Sequence, residues 1–314
     1  MLNLQLPDLN WNFLLPGFLL PALAVYAQET KIFTTTDYDL LGNVKSCLVL
    51  TNYGKEEFEF RQDGKLRRAE TRFNDKDYSI TYYKYKNDFL TERRDEVYRD
   101  GTFEANTSMA HFFERDTVSG DKIIEQIVNY HKDFVDRYEY YYDQGGRLIR
   151  IVRSSPEGVD ETLIEYSEQK GETTTTYFLN EVLLKSVRES VRTSNDGSEQ
   201  RVVLTKEYIK GAPDKALEAV YNAKGKVVSE VYFEYRSAEK TFVPGKKITF
   251  EYGEKGMLKS VFTEEAGGYT EKKDYLFQFD NRGNWIKQII TPDNAYTTRR
   301  IEYFPEPTAG TQEN

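Results

Sequence analysis

The chain has 314 residues, of which 14% are aromatic, 30% are charged and one, Cys47, is cysteine. Its formal net charge of −9 at pH 7 argues against a nucleic-acid partner, which would require a basic surface. A single cysteine cannot form an internal disulfide. The 24 Tyr and 19 Phe residues favour strands, because aromatic side chains fit a pleated, half-buried surface.

The first 27 residues differ in composition from the rest of the chain. Residues 11–26 are almost entirely apolar, and Val25-Tyr26-Ala27 has the small-x-small pattern of a signal-peptide cleavage site. Pro16 and Pro21 interrupt the apolar run, which is shorter than the roughly 20 residues that a membrane span needs. We therefore predict a signal peptide over residues 1–27, with an uncleaved anchor as the alternative.

An exported chain without disulfides fits the bacterial envelope better than a eukaryotic extracellular space. We expect it in the periplasm, at the cell surface or outside the cell, with no membrane span in the mature chain. One β-hairpin repeat domain is predicted over residues 28–304, and its lead-in, residues 28–36, is predicted to be the first strand. The Pro-rich, polar residues 305–314 are predicted to be a disordered tail.

A short unit recurs along this domain. It consists of an aromatic residue, usually a short polar residue, two free positions, Gly, a mostly polar residue, and an aliphatic residue or Trp. Unit sequences with glycine occupy residues 38–44, 60–66, 142–148, 221–227, 252–258 and 279–285. Six such matches with alternating flanks indicate a repeat architecture.

The last unit shows the chemistry expected of a tight turn. Asp280 suits the first position of a type I turn, because its carboxylate can accept backbone N–H bonds. Gly283 falls where a three-residue hairpin needs a positive φ. We predict the same turn roles for Asp39, Gly42, Gly64, Asp143, Gly146, Gly225 and Gly256.

Between these turns the sequence alternates apolar and charged residues, as antiparallel strands with one solvated face do. The clearest predicted strands are residues 56–60, 78–85, 123–130, 138–142, 173–179, 228–235, 247–252 and 298–304. Gly211–Ala219 is the one plausible helical turn, but we interpret it as a longer hairpin connection. The predicted fold is all-β, a meander of antiparallel hairpins forming a long curved sheet, either barrel-like or a superhelical shell.

The unit resembles the YD repeat of RHS-type bacterial surface and secreted proteins, most closely at residues 38–42, 142–146 and 279–283. The resemblance spans residues 37 to 304 and implies successive hairpins wound into a curved sheet, which in large members encloses a toxin or binds carbohydrate. This chain is shorter, its spacing is irregular, and it is most similar to short secreted YD-repeat proteins of the Bacteroides type.

Residues suited to catalysis or metal binding are few. His111 is interpreted as a partly buried strand residue, His131 as a solvated turn residue and Cys47 as a buried, inert thiol. Two histidines without cysteine support make a poor zinc site, and each turn has too few acids for a calcium loop. No phosphate or dinucleotide motif occurs, so we expect neither a metal nor a cofactor.

Aromatic residues are the better candidates for ligand binding. Tyr138, Tyr140 and Tyr142 form an alternating stripe, and Trp285 follows the last turn. Such rings can stack on sugars, although they can equally form the core. Our leading hypothesis is therefore a non-enzymatic binding or scaffold protein with a glycan or an envelope protein as partner. The two alternatives are a polysaccharide hydrolase that uses scattered carboxylates and a purely structural surface protein.

Overall fold

The computed structural model describes residues 31–117, 121–253 and 255–306. The predicted signal peptide lies outside these residues, as does the tail after residue 306. Within the described ranges the chain forms a short 3-10 helix, Thr35–Tyr38, and 21 strands. The strands are β1 (Val44–Leu50), β2 (Lys55–Phe60), β3 (Leu66–Arg72), β4 (Tyr78–Lys86), β5 (Phe89–Arg99), β6 (Thr102–Phe103), β7 (Met109–Asp116), β8 (Lys122–Asn129), β9 (Phe134–Tyr142), β10 (Leu148–Ser155), β11 (Gly158–Gln169), β12 (Glu172–Leu179), β13 (Val182–Thr193), β14 (Glu199–Ile209), β15 (Ala212–Tyr221), β16 (Val227–Arg236), β17 (Thr241–Tyr252), β18 (Leu258–Glu265), β19 (Thr270–Phe279), β20 (Trp285–Thr291) and β21 (Ala295–Tyr303).

All strands belong to one antiparallel sheet, in which neighbours in sequence are neighbours in space. The two-residue strand β6 pairs with the end of β5, and β5 continues to β7. Strand β1 pairs with β21 from Val44 to Leu50, so the sheet closes on itself through 20 strands. The all-β, barrel-like prediction is therefore confirmed, and closure excludes the open superhelix because the first and last strands pair with each other.

The closed sheet encloses a wide interior. Neighbouring strands lie about 4.8 Å apart, so a circular cross-section of this many strands would be roughly 30 Å wide before strand tilt is added. Three apolar clusters line the wall, each built from neighbouring strands. The first also includes residues of the N-terminal segment, and the other two adjoin at Tyr177.

One face of the sheet carries all three clusters. We call it the cluster face, and define it by Cys47, Tyr140, Val187, Phe250 and Arg299, all of which are buried. Side chains converge on the concave side of a closed sheet, and we therefore assign the cluster face to the interior.

The recurring hairpins share one arrangement at their turns. Phe60 lies directly opposite Leu66, and Phe279 lies directly opposite Trp285. A register shift beside each pair leaves one extra residue on the second strand, and this bulge turns Leu66 and Trp285 onto the cluster face, where their aromatic partners already lie. The same pairing joins Tyr142 with Leu148, Tyr221 with Val227, and Tyr252 with Leu258.

Tyrosines also connect successive hairpins. The Tyr252 hydroxyl donates to the backbone oxygen of Val227, on the neighbouring strand β16, at 2.7 Å. Equivalent bonds of 2.8 Å join Tyr85 to Leu66 and Tyr166 to Leu148. The residue after each of these three turns is thus held both by its own strand and by a tyrosine from the next hairpin.

The N-terminal segment departs from the predicted first strand. It forms one isolated bridge, between Thr34 and Lys65, and then the 3-10 helix. Asp39, with φ of +51°, ends this helix rather than opening a hairpin turn. The apolar residues Tyr38 and Leu40 draw the segment against the cluster face, where burial outweighs strand pairing at the sheet end.

Gly211–Ala219 also differs from its interpretation as a connection. Residues 212–221 form strand β15, paired along its length with β14 and β16. Lys210 and Gly211, both with positive φ, form the tight turn before it. Leu217 and Ala219 both lie on the cluster face, but in the sequence the polar residues around them obscure the strand pattern.

Candidate binding site on the cluster face

The predicted turn residues lie at strand ends and away from any common site. Asp280 Oδ1 accepts the backbone N–H groups of Arg282 at 2.9 Å and Asn284 at 2.8 Å. Asp143 Oδ1 accepts those of Gly145 and Arg147, each at 2.9 Å. The predicted turn glycines, Gly42, Gly64, Gly146, Gly225, Gly256 and Gly283, all have positive φ.

The predicted aromatic residues do not form one platform. Tyr138, Tyr140 and Tyr142 lie on β9, whereas Trp285 begins β20 in a different part of the wall. Trp285 is only 5% exposed, and the guanidinium of Arg299 lies 3.5 Å from its ring centroid. Burial lowers the pKa of Arg299 to about 10. The ring is thus covered by a cation–π contact and has no free face for a sugar.

Tyr140 is buried in a hydrogen-bonded network. It is 4% exposed, and its hydroxyl donates to Glu125 Oε2 at 2.7 Å. His111 Nδ1 lies 2.7 Å from Glu125 Oε1, and Arg93 lies 2.8 Å from His111 Nε2. Because arginine can only donate, Nε2 accepts and Nδ1 carries the proton given to Glu125. The interpretation of His111 as a buried strand residue agrees with this position.

The electrostatics of this network favour an ionised carboxylate. Burial alone would raise the pKa of Glu125, but the hydrogen bonds from His111 and Tyr140 outweigh it and leave the pKa below its ordinary value. Burial and the neighbouring Glu125 charge raise the pKa of Tyr140. A Glu–His pair could exchange protons, but these groups use their polar atoms on one another and are all nearly inaccessible.

Tyr138 is the accessible part of the aromatic stripe. It is half-buried, and its ring stacks on Tyr140 with centroids 6.1 Å apart and planes 12° apart. Directly opposite lies Arg153, whose Nε and Nη2 donate to Asp136 at 2.9 and 3.3 Å. Asp160 lies 3.9 Å from the same guanidinium. We call these four residues, Tyr138, Asp136, Arg153 and Asp160, the Tyr138 patch.

The Tyr138 patch combines an aromatic face with fixed polar groups. Burial raises the pKa of Tyr138, so its hydroxyl stays protonated and able to donate. The side chain of Arg153 is 43% exposed while its bidentate bond to Asp136 fixes the plane of both groups. Such a patch can stack on one face of a ligand and hydrogen-bond its edge.

Sequence reasoning missed Glu125, Asp136 and Arg153. The sequence does contain one indication of Glu125, because Ile123, Glu125 and Ile127 alternate on one face and so place an acid at a core position. The partners of that acid come from β7 and β9, and single-sequence alternation does not reveal strand register.

Other reactive groups do not complete a site. Cys47 is 1% exposed, and burial raises the pKa of its thiol to about 11, which keeps it protonated and unreactive. Across the described parts of the chain, no group of three or more His, Cys, Asp or Glu residues could hold a metal ion. A shallow depression at Arg192, Ser194 and Asp196 is formed by the turn of one hairpin.

In the part of the chain that the structure describes, no helix is long and apolar enough to cross a membrane. Comparison with protein-family models gives no match, and comparison with curated proteins gives none either.

Comparison with solved structures gives weak similarities. A porin-like protein from Bacteroides uniformis is 8% identical over 82% of this chain and 98% of its own, with a TM-score of 0.32. A porin-like protein from Bacteroides vulgatus is 11% identical over 84% of this chain and 99% of its own, with a TM-score of 0.25. A chain in the crystal structure of TcdB2-TccC3 is 11% identical over 85% of this chain and 18% of its own length, with a TM-score of 0.21. At these scores none of the three assigns a family or a function to the chain.

Proposed function

We propose that this chain is an exported, non-enzymatic binding protein of the bacterial envelope and that the Tyr138 patch contacts a glycan. The observation that carries the proposal is the half-buried Tyr138 ring lying directly opposite the fixed Arg153–Asp136 pair. The apolar face of a sugar can stack on the ring, and its hydroxyls can bond the charged groups at the edge.

The pattern of carboxylates favours binding over hydrolysis. A glycosidase pairs an ionised carboxylate with one whose pKa is raised, both facing one glycosidic bond. Glu125 has a lowered pKa, whereas burial raises the pKa of Glu230. The two residues lie on β8 and β16, eight strands apart in sheet order, so they do not flank one bond from neighbouring strands.

Charge on both faces of the wall supports an aqueous location. On the face opposite the cluster face, Arg68 pairs with Glu59 at 3.1 Å and Arg137 with Glu139 at 2.8 Å. A lysine or arginine facing lipid near the bilayer centre costs about 2–4 kcal/mol, so this surface suits water. Together with the predicted signal peptide, it favours the periplasm, the cell surface or the extracellular space.

The proposal is tested with a glycan array probed by residues 28–314 and by a Tyr138→Ala variant. Tyr141→Ala is the matched control, because Tyr141 is the same residue type on the same strand but points to the opposite face. We expect the wild type and the control to bind the same glycans and Tyr138→Ala to lose at least tenfold in affinity.

Thermal melting first establishes that each variant is folded. Equal binding by both variants would remove the Tyr138 patch from the proposal. A folded wild type that binds no glycan would overturn glycan binding and turn attention to a protein partner, sought by pull-down from envelope extract.

A further inference from the structure

A second half-exposed tyrosine lies on the cluster face, seven strands from Tyr138. Tyr232 on β16 is 39% exposed, although most of the aromatic residues on this face are more deeply covered. It lies directly opposite Leu217 on β15 and Lys246 on β17. The ring is therefore open to solvent between an apolar neighbour and a cationic one.

In the described part of the chain no carboxylate forms an ion pair with Lys246, unlike the cation of the Tyr138 patch, although Glu265 lies directly opposite Lys246 on β18. Its ammonium lies 5.9 Å from the centroid of the Tyr232 ring, and its side chain is exposed. Among the described residues it forms no ion pair, whereas Arg153 is held by Asp136. An ammonium with free donors beside an open ring is suited to bind an anionic group.

The third residue is Glu230, which is 5% exposed. Its Oε2 accepts the hydroxyl hydrogen of Tyr232 at 2.8 Å, which fixes the direction of the tyrosine ring. Burial raises the pKa of Glu230 above its ordinary value, although the Tyr232 hydrogen bond and the nearby Lys246 charge oppose the change. As pH falls, this carboxyl therefore loses its negative charge more readily than an exposed glutamate.

We propose that Tyr232, Lys246 and Glu230 form a second glycan subsite, and that it selects an acidic saccharide through a carboxylate bound to Lys246. The sugar ring stacks on Tyr232 while its carboxylate approaches the ammonium. This inference rests on the proposed glycan-binding function and specifies its ligand as a uronate-containing polysaccharide.

Because the protein is negatively charged overall, Lys246 should determine whether an acidic saccharide binds. The formal net charge is −9, so the whole molecule repels a polyanion at long range. Binding must then come from a short-range contact, where an ammonium and a carboxylate attract each other at a partly desolvated surface. Loss of that one cation should remove most of the preference for an acidic ligand.

The test uses calorimetry on residues 28–314 with polygalacturonate as the acidic probe and dextran as the neutral one. Lys246→Gln is compared with Lys247→Gln, its neighbour on the opposite face, which pairs with Glu264. We expect Lys246→Gln and Tyr232→Ala to weaken polygalacturonate binding at least tenfold and Lys247→Gln to leave it unchanged.

The Glu230→Gln variant tests whether binding depends on pH, and a folding defect would not change that dependence in the expected direction. For the wild type, polygalacturonate binding should strengthen as pH falls from 8 through the raised pKa of Glu230, because protonation of Glu230 removes a negative charge beside the bound carboxylate. The variant has no such charge, so its binding should equal or exceed that of the wild type at pH 8 and change less with pH.

The outcomes separate this inference from the proposed function. Binding of another glycan through Tyr138, with no binding of polygalacturonate, would overturn the acidic subsite and leave the proposed function intact. Equal losses in Lys246→Gln and Lys247→Gln would also overturn the subsite. No binding of any glycan by folded wild type would overturn both.

Discussion

At the scale of single residues, Asp280 and Gly283 show how one turn depends on two side-chain properties. The carboxylate of Asp280 accepts two backbone N–H groups that would otherwise lack partners in the turn. Gly283 adopts φ of +88°, where a Cβ would also approach the Leu41 side chain at 3.5 Å. The turn therefore combines a hydrogen-bond requirement with a conformational one.

Replacing Gly283 with valine should destabilise the protein by about 1–2 kcal/mol, because a side chain with a Cβ is strained in the left-handed region. Thermal melting should show a transition lowered by several degrees. Gly267→Val is the control, since Gly267 lies in a turn without a positive φ and in open space. Equal melting temperatures for the two variants would contradict the role of Gly283.

The ionisation of Glu125 should make the stability of the protein depend on pH. Its folded-state pKa is lowered, so its ionised form contributes stability above the unfolded-state pKa of about 4.3, and this contribution is lost as pH falls through the folded-state value. The wild type should thus be more stable than Glu125→Gln near pH 7, and the difference should shrink below pH 4. Urea unfolding at pH 7, 5 and 3.5 measures it, and a difference independent of pH would contradict the role of the Glu125 charge.

At the scale of the strands and hairpins, neighbouring hairpins are coupled by side-chain contacts as well as by the backbone hydrogen bonds of the sheet. Three of the six recurring turns are followed by a residue whose carbonyl accepts a tyrosine hydroxyl from the next hairpin, as Val227 does from Tyr252. The cations beside these turns add to the coupling, since the Lys226 ammonium donates to the Gly256 backbone oxygen at 2.6 Å and lies 5.1 Å from the Tyr252 ring centroid. Conformational order in one hairpin therefore supports the next.

Removing one such hydroxyl should measure the coupling. Tyr252→Phe keeps the ring but leaves the Val227 carbonyl without that donor, which should cost about 0.5–1.5 kcal/mol in the free energy of unfolding. Tyr296→Phe serves as the control, because Tyr296 is 61% exposed on the opposite face. If denaturant unfolding gave the same free energy for both variants, the tyrosine bond would be incidental.

At the scale of the whole molecule, the sheet closes where its two ends meet, and a side chain from the last turn secures the segment before β1. Asn284 is 1% exposed. Its Oδ1 accepts the Leu41 N–H at 2.7 Å, and its Nδ2 donates to the Leu41 oxygen at 2.9 Å. The amide thus pairs with the backbone of Leu41 as a neighbouring strand would, across 243 positions of sequence.

Asn284→Ala should loosen this closure. Both polar groups of Leu41 would lose their partners, at a cost of about 1–3 kcal/mol for each group that stays buried. We expect faster proteolysis within residues 33–43 and a lower melting temperature. Asn281→Ala, in the same turn but exposed, is the control, and identical cleavage rates would show that Asn284 does not secure the segment.

The candidate sites show where sequence reasoning stops. The alternation of Tyr138 and Tyr140 correctly placed both on one face, and the sequence marked them as core or platform. Which ring is covered depends on Glu125 and His111, contributed by other strands, and those contacts leave Tyr138 only half-buried. Trp285, which the sequence offered both as a ligand contact and as a core residue, is buried, and Arg299 from β21 covers its ring.

The sequence by itself determined the strand type, the turns and their recurrence, because period-two alternation and turn chemistry act over a few neighbouring residues. Only the tertiary structure decided that the sheet closes, that the N-terminal segment packs as a 3-10 helix, and that Glu230 and Lys246 meet Tyr232. Those outcomes depend on strand register and on burial against distant residues, and local sequence patterns encode neither.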